Sequence, residues 1–118
     1  ICADSDEEAW RLSASGRMVY YLLQTGRLAA VPTVERALRF IEEEVGEARS
    51  VPPGRRFIVG SPARVKARIE AVAEEYGAEE VMIVTIVHDH AARRRSYALI
   101  AAAFGMTEPA QLGDQLRV

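Results

Sequence analysis

The chain has 118 residues, 49% of them apolar and 27% charged, which suffices for one domain with a real core and excludes a disordered chain. The net charge of −2 gives no electrostatic reason to expect nucleic acid. No apolar run approaches the ~20 residues of a membrane-spanning helix, no basic segment precedes an apolar one as in a secretion signal, and the single cysteine, Cys2, cannot close an internal disulfide, which suits a reducing cytoplasm.

The chain opens on apolar Ile1-Cys2-Ala3 without an initiator Met, which reads as the end of a strand cut short. Asp4-Ser5-Asp6 then offers helix caps before Glu7 and Glu8. A helix is predicted from about Asp6 to Ser15, interrupted at Gly16. "RMVYYLLQTG" reads as a second helical stretch, stopped by Gly26. Pro32-Thr33 starts the next helix, in which Val34, Leu38, Ile41 and Val45 fall on one face. Glu42, Glu43 and Glu44 belong to a solvated face, and Gly46 closes the helix. Pro52-Pro53-Gly54 marks a loop. Phe57–Val59 reads as a short strand. Ser61 suits a helix N-cap and Pro62 the first helical position, with Val65, Ile69, Val72 and Tyr76 as the buried stripe before Gly77. Val81–Val87 is the most apolar strand of the chain. Asp89 can cap a last helix running from Ala91 to about Phe104, followed by a polar tail over 106–118.

Strands alternating with helices predict right-handed crossovers and an α/β fold with a parallel sheet. The unbroken "VMIVTIV" of residues 81–87 fits a parallel strand covered on both faces. Three parallel strands alone leave open edges and bare faces, so the reading is one partial domain over 1–118, with more of its sheet elsewhere.

His88-Asp89-His90 follows the last strand, where active sites of parallel sheets lie. Two imidazoles and a carboxylate there allow a metal site, an acid/base pair, or the rim of a pocket. They also allow no more than a strand exit and a helix cap. A zinc site needs three or four converging ligands, and His88 and His90 are the only histidines. Gly60 and Ser61, between a strand and a helix, offer free amides to a phosphate or simply cap the helix, and Pro62 removes one donor. Arg93, Arg94 and Arg95 sweep about 200° of helix and cannot form one patch. Arg95 borders the predicted inner face of Ala92, Ser96, Leu99 and Ala103, where it can pair with a buried carboxylate, reach the sheet's mouth, or belong to a solvated helix start. Asp4 and Ser5 read as caps. No dinucleotide, Walker, paired-cysteine or nucleophile-elbow motif is present.

The stretch "FIVGSPARVKARIEAVAEEYGAEEVMIVTIVHDHAARRRSYALIA" resembles the C-terminal end of the bacterial-luciferase-like flavin-dependent monooxygenases, and "CADSDEEAWRL" and "VPTVERALRF" are similar to segments before it. The resemblance spans nearly all of Ile1 to Phe104 and is most specific in the second half. It implies a TIM-type (β/α)₈ barrel, of which this chain supplies about the last three strands, since a whole barrel needs ~250 residues. It further implies a cytoplasmic, dimeric oxidoreductase that uses reduced FMN, or a deazaflavin, and molecular oxygen to oxidise a small organic substrate. An NAD(P)H-dependent flavin reductase is an expected partner, nucleic acid and membrane are not, and the chain alone is expected to be inactive. The family's main phosphate loop and its histidine region have no counterpart here. Thr85 and His88, and less so Gly60 and Ser61, are the residues the resemblance places at the cofactor pocket's rim. The loop Ala48–Arg56 takes the position of a lid. The alternative to an enzyme is a non-catalytic half-barrel that associates with copies of itself.

Overall fold

A computed structural model describes residues 1–55 and 57–106. The first helix starts at Ser5, whose Oγ accepts the Glu8 amide hydrogen at 3.1 Å. Asp6, Glu7 and Glu8 in the first turn complement the positive helix end. Helix α1 then runs Asp6–Gln24, straight through the predicted break at Gly16. A helical glycine costs about 1 kcal/mol relative to alanine, and here contact explains its presence. A Cβ at Gly16 would lie 3.0 Å from the Ile86 carbonyl oxygen, so glycine lets helix and segment approach without either having to shift.

Thr33 caps α2 (Val34–Phe40) through its Oγ1, 3.3 Å from the Arg36 amide. Val34, Ala37 and Ile41 are buried at i, i+3 and i+7, which leaves Leu38 exposed at the border of that stripe. A wide turn, Ile41–Val45, continues the helix. It closes when the Gly46 amide bonds the Ile41 carbonyl five residues back, at 2.7 Å. Glu42, Glu43 and Glu44 face solvent on this turn while Val45 reaches the core. Helix α3, Glu47–Ser50, is a single turn at the start of the predicted loop. Helix α4, Pro62–Tyr76, has Pro62 in its first turn and ends at Gly77 in the left-handed conformation, φ 60°. Its buried residues are Val65 and Ile69, and Tyr76 is exposed. Asp89 caps α5, His90–Ala103, through Oδ1, 3.0 Å from the Ala91 amide.

The expected α/β sheet is not what forms. Among the described residues there is no strand, only an isolated parallel bridge between Cys2 and Gly60. It is closed by Ala3 N–H to Gly60 O at 3.2 Å and Gly60 N–H to Ile1 O at 3.1 Å. A ladder needs successive bridges, and residues 57–60 and 81–87 do not supply them. The fold is helical, and the prediction of three parallel strands from a TIM-type barrel is corrected accordingly. Apart from Met106, the predicted polar tail over 106–118 lies outside the described residues.

Extended backbone still organises the interior, because neighbouring side chains point to opposite sides. Ala3 and Val59 pack with α1 and α2 around Leu12, Met18 and Ile41. Their neighbours Cys2 and Ile58 pack with α4 and α5 around Val65, Ile69 and Ile100. Residues 1–3 and 57–60 thus partition two groups of helices. Full burial of a residue such as Ile41 stabilises the fold by roughly 1.5–3 kcal/mol. The segment 81–87 alternates in the same way. Thr85 and Val87 are buried and Ile83 half-buried, whereas Met82 is 92% and Val84 75% exposed. The apolar run is therefore covered on one face only. Among the described residues, no helix is long and apolar enough to cross a membrane.

Candidate functional site

Two carboxylates near the start of α1 gather the ends of the later elements. Asp4 receives a forked bond from Arg95, with Nε at 3.1 Å from Oδ2 and an Nη at 2.6 Å from Oδ1. The bonds from Arg95 hold the Asp4 carboxyl below the usual carboxylate range, and Asp4 in turn raises the guanidinium. The carboxylate that Arg95 pairs with is exposed and not the buried one expected. Asp6 Oδ1 accepts the Ser61 amide hydrogen at 2.7 Å, and its Oδ2 lies 3.3 Å from Arg64. The Ser61 amide is the first cause of a lowered Asp6 pKa. Ser61 precedes α4 without bonding a backbone amide through its own side chain. The anion position that Gly60 and Ser61 offer is therefore taken by the protein's own carboxylate. Gly60 is tight there as well, since a Cβ would stand 2.9 Å from Asp6 Oδ1.

His88 and His90 are exposed, His90 opening α5, and Asp89 is engaged as its cap. Among the described residues, no group of three or more His, Cys, Asp or Glu is arranged to hold a metal. Thr85 is 4% exposed, and its Oγ1 has no hydrogen-bond partner.

An apolar cavity of about 350 Å³ lies on another side of the same segment. Val81, Met82, Val84 and Ile86 form one flank, with Tyr20 from α1 and Phe57 opposite. Val65, Ile69 and Ile100 reach it from the helices, and Pro52 also lines it. Its size is that of small-molecule pockets, which are lined mainly by apolar side chains. None of Gly60, Ser61, Thr85 and His88 lines it. The structure does not bring these four predicted residues together in one pocket.

The largest fully buried side chain among the described residues escaped the sequence reading. The Arg17 side chain is 0% exposed. Its Nε donates to Ser13 Oγ at 3.0 Å, and one Nη donates to Ser50 Oγ at 2.9 Å and Glu47 Oε1 at 3.1 Å. The guanidinium carbon lies 4.1 Å from the centre of the Trp10 ring. Burial lowers the pKa of Arg17, against the opposing pull of Glu47. The signal was present: Trp10, Ser13 and Arg17 stand at i, i+3 and i+7, one helix face.

Comparison with known proteins gives relatives without an assigned activity. The chain is 33% identical over 108 residues to Uncharacterized protein YwcH of Bacillus subtilis (strain 168), covering 88% of this chain and 32% of that protein. It is 29% identical over 104 residues to Uncharacterized protein YceB of the same organism, covering 88% and 31%. A solved structure, the crystal structure of apo-MsnO8, superposes with a TM-score of 0.79 at 32% identity, over 91% of this chain and 33% of that one. The chain thus spans about a third of the length of the curated relatives it matches. No protein-family model matches.

The assignment to the bacterial-luciferase-like family is corrected on these findings. No family model carries it, and neither the two Bacillus proteins nor the solved structure is described as such an enzyme. The descriptors oxidoreductase, monooxygenase, flavoprotein and TIM barrel have no support in those descriptions, and the helical fold opposes the last of them.

Proposed function

We propose that this chain forms one wall of a ligand cleft in a longer polypeptide, and that the ligand is a flavin used with oxygen on a small organic substrate. The observation that carries the cleft is the 350 Å³ apolar pocket against Val81–Ile86. Two further facts support it. The matched relatives are about three times as long as this chain, and the solved relative is described as apo, the term for a protein without its ligand.

The fit to flavin is divided. Tyr20, Phe57, Ile69, Met82 and Ile86 suit a planar apolar ring. Gly60 and Ser61 do not suit its phosphate, because Asp6 already accepts the Ser61 amide hydrogen. The phosphate seat belongs to the part of the polypeptide outside this chain. Bound flavin, as FMN or a deazaflavin, supplies the redox chemistry, and the chain's residues exclude water from one side of it. The test is titration of oxidised and reduced FMN, and of a deazaflavin, into the full-length protein. Saturable binding that protects residues 81–86 from hydrogen exchange supports the reading, and no binding of any of the three overturns it.

A second reading has its own observation. Met82 and Val84 present an apolar face that nothing among the described residues covers. Two copies could bury these faces against each other in a non-catalytic assembly. Sedimentation decides, since a monomer at every concentration sinks this reading.

A further inference from the structure

Two residues of the pocket's lining, Pro52 and Phe57, are tied to a group that does not line it. Arg17 lies on α1 between two pocket residues, Gly16 and Tyr20, yet its own side chain is enclosed on another side. Two routes lead from it back to the pocket. Along the first, the guanidinium stacks on Trp10, and the Trp10 ring meets Phe57 edge-on at 6.4 Å. Along the second, the guanidinium holds Ser50 and Glu47, the ends of α3, and two residues past Ser50 the chain delivers Pro52 to the pocket.

The links around Arg17 reinforce one another. Glu47 Oε1 accepts from both Arg17 and the Trp10 indole, the latter at 2.9 Å. Ser50 Oγ also bonds the Glu47 carbonyl at 2.7 Å. A four-residue helix has little stability of its own, so the position of α3 depends on this anchor. A lysine could keep the charge, but it lacks the flat fork that reaches Ser13, Ser50 and Glu47 together and the plane that stacks on Trp10.

We propose that Arg17 is a positioning residue for the apolar pocket: its buried guanidinium fixes the lining residues Pro52 and Phe57 through α3 and Trp10. The pocket's use as a ligand site rests on the function proposed above. The positioning itself does not.

Trp10 is the only tryptophan of these 118 residues, so with any tryptophan elsewhere in the full-length protein replaced by phenylalanine its fluorescence reports this anchor directly. The experiment compares wild type with Arg17→Lys and Ser50→Ala, below their melting temperatures. It measures acrylamide quenching of Trp10, hydrogen exchange over residues 51–58, and FMN affinity in the full-length protein. Arg17→Lys is expected to raise quenching at least twofold, to speed exchange over 51–58 about tenfold while α5 is unchanged, and to weaken FMN about tenfold. Ser50→Ala cuts only the α3 route, so it should speed exchange at 51–53 and leave Trp10 quenching near wild type. If Arg17→Lys does not fold, Ser50→Ala decides alone by that split. Unchanged exchange over 51–58 in the folded variants overturns the proposal. If wild type binds no flavin but the exchange pattern holds, the positioning stands and the flavin reading falls.

Discussion

Asp6 Oδ1 lies 2.7 Å from the Ser61 backbone nitrogen, so a residue in the first turn of α1 covers the N-terminus of α4. The bond ties helices that start 56 positions apart, from Asp6 to Pro62. Its pH dependence has a definite sign. The folded pKa of Asp6 is lowered, chiefly by the Ser61 amide. Its contribution is present above the unfolded carboxylate value of about 4 and is lost as pH falls through the lower folded value. Asp4 behaves alike through Arg95. Asp6→Ala should lower the melting temperature at pH 7 and flatten its fall as pH drops below the unfolded carboxylate value of about 4. Equal acid sensitivity in variant and wild type would refute the pairing.

Gly16 tests the contact between α1 and the segment 81–87. Valine there must displace the Ile86 backbone, since even a Cβ would stand 3.0 Å from its oxygen. The expected loss is about 1–3 kcal/mol in urea unfolding, although valine is a better helix former than glycine. A variant as stable as wild type would mean that the two backbones do not touch.

Thr85 carries a buried hydroxyl without a partner. Thr85→Val keeps the shape and removes that cost, so it should stabilise the fold by about 1 kcal/mol. The resemblance placed Thr85 at a cofactor rim, and because Thr85 does not line the pocket the same change should leave FMN affinity alone. A tenfold loss of affinity would restore Thr85 as a ligand contact.

Met82 and Val84 are exposed on the bare face. Replacing both by serine should alter the stability of the 118-residue chain by less than about 0.5 kcal/mol per site. The same pair of changes should abolish any concentration-dependent self-association. A large loss of stability would show that the face is already buried within the chain.

Cys2 is enclosed between α4 and α5, and burial raises its thiol pKa. Because the thiolate is the reactive form, Ellman's reagent should label Cys2 only as fast as the chain opens. Labelling at the rate of a free thiol would place Cys2 at the surface.

Helix starts were legible because their signals are local. Ser5, Thr33 and Asp89 each bond a backbone amide of the helix that follows, and Gly46 and Gly77 stop helices as read. What failed depended on distant partners. Gly16 reads as a break until Ile86 is seen against it. Residues 81–87 read as a doubly covered strand because seven apolar residues do not say which faces meet neighbours. The site residues at 60, 61, 85 and 88 came from the resemblance, and three-dimensional packing placed none of them in the pocket. Arg17 went unnoticed inside an apolar run because one charge there looks solvated unless Trp10 and Ser13 are put on its face.

Without a hydrogen-bonded ladder to fix it, the stretch from Val81 to Val87 takes its register from the notch at Gly16, where the Ile86 carbonyl is seated. Sliding by a single residue would exchange inside for outside, sending Met82, Val84 and Ile86 toward the helices and turning Thr85 and Val87 outward. A missing side chain in α1 thereby decides which set of side chains any neighbouring polypeptide encounters.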